Sequence, residues 1–228
     1  MMKRVLEGVE AVLFDLDGTL VETNIDFPRM KREMLALANK YGVDSAAARS
    51  LDILGVVTLI EESLRQRGDA ELAGKAKEEA MRTLEEIELA HSETAREIAS
   101  ARELIEALGS HGVKVGIVTR NCRRASELSL RVAGLDTGLL LLAREDTPKT
   151  KPHPDHLLTA LDRLGARPDR SVMIGDHLMD IAAGKAAGMR TIGFLAPDRP
   201  RDFFDAANPD AVALTLREVI DAFDHINS

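Results

Sequence analysis

The sequence predicts an α/β fold, a doubly wound parallel sheet that carries an inserted block of helices. Short, continuously apolar runs recur along the chain, as in strands that are covered on both faces. Helical patterns separate most of these runs, and this alternation is typical of a doubly wound fold. One long stretch, residues 27–98, contains helical patterns and no convincing strand.

Six apolar runs are predicted as the strands of the sheet. They are VEAVLF (residues 9–14), VKVGIVT (113–119), LLLLA (139–143), SVMIG (171–175), RTIGF (190–194) and DAVAL (210–214). The third run is the weakest signal, because leucine does not itself favour a strand over a helix. Helical patterns follow at residues 100–112, 123–134, 154–165 and 178–189. The first three of them end in a glycine that suits a helix C-terminus.

The stretch between the first and second predicted strands is expected to form three or four helices, within residues 28–42, 44–68 and 69–93. Pro28 suits a first helical turn, and Asp44 and Asp69 stand where N-caps belong. We therefore expect two domains. Residues 1–24 and 97–228 would form the α/β core, and residues 25–96 would form a helical domain.

Composition limits the compartment and the partners. The formal net charge of −8 disfavours nucleic acid as a partner, because phosphate contacts need a basic face. The single cysteine, Cys122, cannot form an internal disulfide, which fits a reducing compartment. No apolar stretch has the length of a secretory signal or a membrane span. We expect a cytoplasmic protein without nucleic-acid or membrane partners, and the sequence does not indicate its oligomeric state.

Polar residues follow the predicted strands at the edge where ligands of doubly wound sheets bind. Each residue alone has a plain structural explanation, such as a turn, an N-cap or an exposed side chain. Together they would bring carboxylates, a hydroxyl group and a lysine to one sheet edge. The candidate residues are Asp15, Asp17, Thr119, Arg120, Asn121, Lys151, Asp176 and Asp180.

Four motifs in this set occur in a recognisable order. They are DLDGT (residues 15–19), the threonine that ends GIVT, the lysine of KPHPD, and GDHLMD (residues 175–180). This order resembles the haloacid dehalogenase-like phosphohydrolases, and most of all their phosphoglycolate phosphatase-like branch. The resemblance covers essentially the whole chain and includes a helical cap inserted between the first two core strands. It implies a Mg²⁺-dependent phosphomonoester hydrolase that acts on a small phosphorylated metabolite, with phosphoglycolate as one candidate.

The resemblance also implies the chemistry of the paired aspartates. Asp15 would attack phosphorus and form an aspartyl-phosphate, which divides the hydrolysis into two displacements. Asp17 would give a proton to the leaving group and then take one from water. The Mg²⁺ ion would be held by the side chains of Asp15 and Asp176 and by the backbone carbonyl of Asp17. Asp180 would support these ligands or replace one of them, sharing a helix face with Asp176 if the helix starts there.

The phosphoryl oxygens would contact Thr119 and Lys151, with help from Arg120 and Asn121. Substrate specificity is expected from residues near the start of the helical insert, with Asn24, Asp26, Arg29 and Arg32 as candidates. His153 and His156 are interpreted as structural residues, because no third ligand stands at metal-binding spacing. Cys122, at the start of a predicted helix, is interpreted as a small packing residue.

Other functions remain open at this point. A sugar-phosphate mutase would share the same core residues and differ in the cap. A phosphonatase would need a cap lysine, and Lys31, Lys40, Lys75 and Lys77 stand in no recognisable context. Dehalogenation is disfavoured by Asp17, which dehalogenases of this superfamily lack. A phospho-accepting signalling module or an inactive scaffold is disfavoured by the second aspartate, the insert and the complete set of motifs.

Overall fold

The computed structural model describes residues 1–135 and 138–227. The chain forms two compact units, Met1–Thr23 with Ser92–Ser228, and Asn24–His91. The first unit contains the sheet, and the second unit is helical. The helical unit ends at His91, whereas the sequence-based division ends the helical insert at residue 96. None of the helices in the described ranges is long and apolar enough to cross a membrane.

The strands are short, as expected for a small α/β unit. They are β1 (Ala11–Phe14), β2 (Val21–Glu22), β3 (Arg96–Glu97), β4 (Lys114–Val118), β5 (Leu140–Leu142), β6 (Ser171–Gly175), β7 (Arg190–Phe194) and β8 (Ala211–Ala213). The α-helices are α1 (Met2–Leu6), α2 (Phe27–Lys40), α3 (Ser45–Ser50), α4 (Ile53–Gln66), α5 (Ala70–Ser92), α6 (Ala101–Ser110), α7 (Arg123–Val132), α8 (Asp155–Leu164), α9 (Leu178–Ala186) and α10 (Leu216–Asn227).

The main sheet has the strand order β5-β4-β1-β6-β7-β8, and all of its neighbouring pairs are parallel. The prediction of a doubly wound parallel sheet is therefore confirmed. The chain adds β4 and β5 on one side of β1 and then crosses to β6, β7 and β8 on the other. Phe14 lies opposite Ile117 of β4 and Ile174 of β6. The residues that follow these three strands consequently meet at the switch in strand order.

The strand β1 is buried on both faces, which explains its continuous apolar run. Val12 and Phe14 belong to a cluster that includes residues of α1, α6 and α10. Ala11 and Leu13 belong to a second cluster that includes residues of α8 and α9. Two helical layers thus cover the sheet, and they fix the position of the chain as it leaves β1.

The helical unit contains four helices, α2 to α5, and has its own core. Its buried cluster is built from residues between Ile25 and Ile87. The predicted segment 44–68 divides into two helices because each has a separate N-cap. The Asp44 carboxylate accepts the Ala46 N–H at 2.8 Å, and the Asp52 carboxylate accepts the Gly55 N–H at 2.7 Å.

A small second sheet lies where the chain leaves and returns to the first unit. β2 pairs with β3 in antiparallel orientation, with Val21 opposite Glu97. The Ile98 N–H also donates to the Leu20 carbonyl at 2.9 Å. The prediction that residues 27–98 contain no strand is wrong at β3, because two residues are too short to give an alternating pattern.

Candidate active site

The sharp turn after β1 brings two motifs into contact. The Asp15 N–H donates to the Ile174 carbonyl at 2.9 Å, which continues the sheet by one bond. Gly18 then turns the chain with a φ of +80°, and its N–H donates to the Val21 carbonyl at 2.8 Å. A Cβ atom at Gly18 would overlap the Asp176 carboxylate. Glycine is therefore needed here both for the backbone angle and for the close approach of Asp176.

Three carboxylates and one lysine form the centre of the site. Asp15, Asp176 and Asp180 each offer an oxygen, and these oxygens lie within 4.8 Å of one another. The Lys151 Nζ lies 2.6 Å from Asp15 Oδ1 and 2.7 Å from Asp180 Oδ1. The Lys151 side chain is only 2% exposed, so both ion pairs are shielded from water. The structure therefore brings four of the sequence-predicted residues together.

The carboxylates in this cluster outnumber the cations that pair with them. Burial raises the pKa of Asp15, against the opposing effect of Lys151. Burial, reinforced by the Asp15 and Asp180 carboxylates, raises the pKa of Asp176 to about 8. Burial alone would lower the pKa of Lys151, but Asp15 and Asp180 outweigh it and raise that pKa. One ammonium group is therefore too little positive charge for three carboxylates.

The donor set fits a hard divalent cation. It consists of oxygen atoms alone, as Mg²⁺ prefers, and the raised pKa of Asp176 indicates negative charge that needs compensation. Asp15, Asp176 and Asp180 are the residues whose side chains could hold such an ion.

Asp17 is fixed by two donors on different loops. The Thr23 hydroxyl donates to Asp17 Oδ1, and the Asn121 side-chain amide donates to Asp17 Oδ2. Thr23 and Asn121 are both buried. The sequence analysis placed Asn121 at the phosphoryl group, and in the structure its side-chain amide donates to Asp17. Thr23 was not singled out, because a single threonine after β2 gives no sequence signal of this contact.

The loop after β4 carries Thr119 and Arg120. Thr119 is buried, its N–H donates to the Leu142 carbonyl at 2.9 Å, and its hydroxyl accepts the Asn121 N–H at 3.2 Å. The Arg120 side chain points toward α9, with Nη1 at 2.6 Å from the sulfur of Met179. Thr119 therefore follows the strand beside β1, while the Arg120 guanidinium lies against the first turn of α9.

Asp180 reaches the site through the first turn of α9. The helix begins at Leu178 with His177 as N-cap, where the predicted helical pattern begins, so Asp176 lies before the helix and the condition for a shared helix face is not met. Asp180 Oδ2 accepts the His177 N–H at 3.0 Å, while Oδ1 pairs with Lys151. Its carboxylate thus caps the helix and orients the lysine at the same time.

The residues interpreted as structural do hold loops in place. His156 is buried, its Nδ1 accepts the Lys151 N–H at 3.5 Å, and its Nε2 lies 3.3 Å from the Ala143 carbonyl. Burial, reinforced by the charge of Lys151, lowers the pKa of His156 to about 4, so the imidazole is neutral at pH 7. Cys122 is buried at the start of α7, where its sulfur accepts the Ala125 N–H at 3.4 Å.

Known proteins are similar to this chain over most of its length. Residues 12–194 match the haloacid dehalogenase-like hydrolase family. Pyrophosphatase PpaX of Bacillus mycoides (strain KBAB4) is 28% identical over 220 residues, which cover 96% of this chain and 99% of that protein. One similar solved structure is a haloacid dehalogenase family hydrolase from Deinococcus radiodurans R1 with bound phosphate and sodium. It superposes with a TM-score of 0.63 at 26% sequence identity, and the match covers 96% of this chain and 97% of that chain. A predicted phosphoglycolate phosphatase from Haemophilus somnus 129PT has a TM-score of 0.61 at 17% identity, over 95% of this chain and 98% of its own, and shares the fold.

The chain is an α/β protein with a parallel sheet and a carboxylate–lysine cluster at its switch point. The chain belongs to the haloacid dehalogenase-like hydrolase family.

Proposed function

We propose that the protein is a Mg²⁺-dependent phosphatase that hydrolyses a small phosphorylated metabolite, with Asp15 as the nucleophile. The observation that carries this proposal is the buried contact of Lys151 with Asp15, beside the carboxylates of Asp176 and Asp180. Lys151 holds Asp15 in one orientation and offsets part of its charge, so an anionic phosphate ester can approach.

The proposed reaction has two displacements. An Asp15 carboxylate oxygen attacks phosphorus, the bond from phosphorus to the ester oxygen breaks, and the departing oxygen takes a proton from Asp17. Water then attacks the same phosphorus and gives a proton to Asp17, and the bond to Asp15 breaks. Inorganic phosphate and the free Asp15 carboxylate result, and Asp17 regains its proton.

Asp17 is suited to this proton transfer because its orientation is fixed. Thr23 and Asn121 bind its two carboxylate oxygens separately, so the side chain has little rotational freedom. A proton donor held in place avoids the entropic cost of finding the leaving oxygen during the reaction.

The Mg²⁺ ion would be held by the side chains of Asp15 and Asp176 and by the backbone carbonyl of Asp17, with Asp180 as a neighbour or an alternative ligand. When bound, the ion supplies positive charge that keeps the carboxylates ionised and draws charge from the phosphoryl oxygens. Thr119 and Lys151 would bind those oxygens, with the backbone near Arg120. The Asn121 amide is assigned to Asp17 in this proposal.

Two substrate classes have specific support. The motifs resemble the phosphoglycolate phosphatase-like branch, which favours a small phosphate monoester. The relatives named pyrophosphatase PpaX match nearly the full length of the chain, which favours inorganic pyrophosphate as a second candidate. Phosphoglycolate, through its carboxylate, and pyrophosphate, through its second phosphoryl group, each carry a second anionic group beside the phosphoryl group that reacts.

A hydrolysis assay tests the proposal. Phosphate release from p-nitrophenyl phosphate, phosphoglycolate and pyrophosphate would be measured with Mg²⁺ and after EDTA treatment. We expect Mg²⁺-dependent turnover that is lost in Asp15→Asn and retained in the matched control Asp162→Asn, an exposed aspartate on α8. Full activity after exhaustive EDTA treatment, or an active Asp15→Asn variant, would overturn the proposal.

A further inference from the structure

The loop that follows β7 begins at the same sheet edge as the candidate site. β7 pairs in parallel with β6, and Gly193 lies opposite Gly175. Residues 195–208 therefore leave the sheet beside Asp176, which directly follows β6. The sequence analysis assigned nothing to this loop.

Two contacts hold this loop against the rest of the sheet unit. The side chain of Phe204 is 2% exposed and packs with Ile181 and Leu195. A Cβ atom at Gly193 would lie 2.8 Å from the Phe204 ring, so the glycine makes room for that packing. At the far end, the Lys185 ammonium group of α9 donates to the Ala207 carbonyl at 2.8 Å.

A row of side chains links this loop to the site. The ring of Phe203 lies 6.3 Å from the His177 ring in an edge-on arrangement, and His177 directly follows Asp176. The central carbon of the Arg199 guanidinium lies over the same Phe203 ring, 4.8 Å from its centre. The charge of Arg199 acts on the site, since it contributes to lowering the pKa of His177 and opposes the raised pKa of Asp176.

The stacked guanidinium keeps its hydrogen-bonding edge available. Arg199 is exposed, and no ion pair among the described residues uses it. An aromatic contact of this kind does not use the N–H donors of a guanidinium, which point outward in the plane of the group. Arg120 adds a second cation nearby, because its Nη1 contacts Met179, two residues after His177. Two arginines, Arg199 and Arg120, therefore supply positive charge on the α9 side of the carboxylate cluster.

We propose that Arg199 is a specificity residue whose guanidinium binds the second, non-reacting anionic group of the substrate, a phosphate or a carboxylate. This rests on the proposed function, in which the first phosphoryl group lies at Asp15. A substrate with two anionic groups is repelled by a site rich in carboxylates unless a further cation receives the second group. A guanidinium is well suited to this task, since its paired donors match the two oxygens of either group.

Inhibition of p-nitrophenyl phosphate hydrolysis tests the proposal. Inorganic phosphate has one anionic group, whereas pyrophosphate and phosphoglycolate have two. We expect Arg199→Gln to raise the inhibition constant of pyrophosphate, phosphoglycolate or both by about tenfold, the loss expected for one charged hydrogen bond. The inhibition constant of inorganic phosphate should change much less. Whichever compound is affected more identifies the second group as a phosphate or a carboxylate.

Two further variants separate binding from general charge effects. Arg199→Lys retains the charge without the paired donors and should recover only part of the affinity. Arg201→Gln removes an exposed arginine from the same loop and should leave every inhibition constant unchanged. Equal losses for all three compounds, no loss in Arg199→Gln, or a loss as large in Arg201→Gln would overturn the role of Arg199. Absence of p-nitrophenyl phosphate turnover in the wild type would instead overturn the proposed function on which it rests.

Discussion

Removal of the Lys151 ammonium group should destabilise the protein strongly. In Lys151→Met, the side chain keeps its length, but Asp15 Oδ1 and Asp180 Oδ1 lose a cation at 2.6 and 2.7 Å. Both oxygens lie in a cluster of three carboxylates, and the lysine is 2% exposed, so water cannot replace it without rearrangement. Removing one partner of a buried ion pair costs about 3–5 kcal/mol. We expect the free energy of unfolding to fall by that amount at pH 7.

Urea unfolding followed by circular dichroism measures this loss. Lys149→Met is the matched control, because Lys149 lies in the same loop and is exposed, and its substitution should change stability little. In the double variant Lys151→Met/Asp180→Asn, one carboxylate is removed as well, and part of the loss should be recovered. Equal unfolding free energies for Lys151→Met and Lys149→Met would refute the assignment of Lys151 as the charge partner of Asp15 and Asp180.

Three further predictions follow from other contacts. The pKa of His156 is lowered from 6.5 to about 4, so His156 changes the pH dependence of stability only below pH 6.5. The pKa of Asp176 is raised to about 8, so Asp176 governs the pH dependence of stability between pH 6.5 and 8. A raised carboxyl pKa stabilises the fold only below it, so the metal-free protein should lose stability as the pH rises through this window. Asp176→Asn should make that slope shallower, because only the raised pKa of Asp15 then remains among the carboxylates, and an unchanged slope in the variant contradicts the assignment. Thr23→Val should lower kcat about tenfold with little change in KM, because it removes one hydrogen-bond donor to Asp17, and Thr23→Ser should restore kcat. An unchanged kcat in Thr23→Val would show that Thr23 does not position Asp17. Replacing residues 24–91 with a short Gly/Ser linker should leave the sheet unit folded by circular dichroism, since the insert has a separate core. The replacement should also raise KM for the best small substrate more than for p-nitrophenyl phosphate. Unfolding of the remaining chain would refute the interpretation that the insert has a separate core.

The main sheet could be predicted closely because its strands are buried on both faces. SVMIG and RTIGF coincide with β6 and β7, and the other four runs contain their strands within one or two residues at each end. The small sheet of β2 and β3 could not be predicted, because its strands have two residues each and depend on chain segments far apart in the sequence. Periodicity carries no signal for pairing of that kind.

The site was predictable in its members and less so in their contacts. Motif order selected Asp15, Lys151, Asp176 and Asp180, and the structure brings their charged groups together. The direction of a side chain depends on the loop geometry around it, which residue type and spacing do not specify. The contact of the Asn121 amide with Asp17 is one consequence. The stacking of Arg199 on Phe203 depends on a loop that carries no motif.

The central claim is that Asp15 carries the phosphoryl group during turnover. The most direct measurement is to quench the enzyme in acid during hydrolysis of p-nitrophenyl phosphate with Mg²⁺ present, and to locate the bound phosphoryl group by peptide mass spectrometry. The account predicts a phosphorylated peptide that contains Asp15, and its absence in Asp15→Asn. A phosphoryl group on another residue, or rapid turnover by Asp15→Asn, would contradict the account.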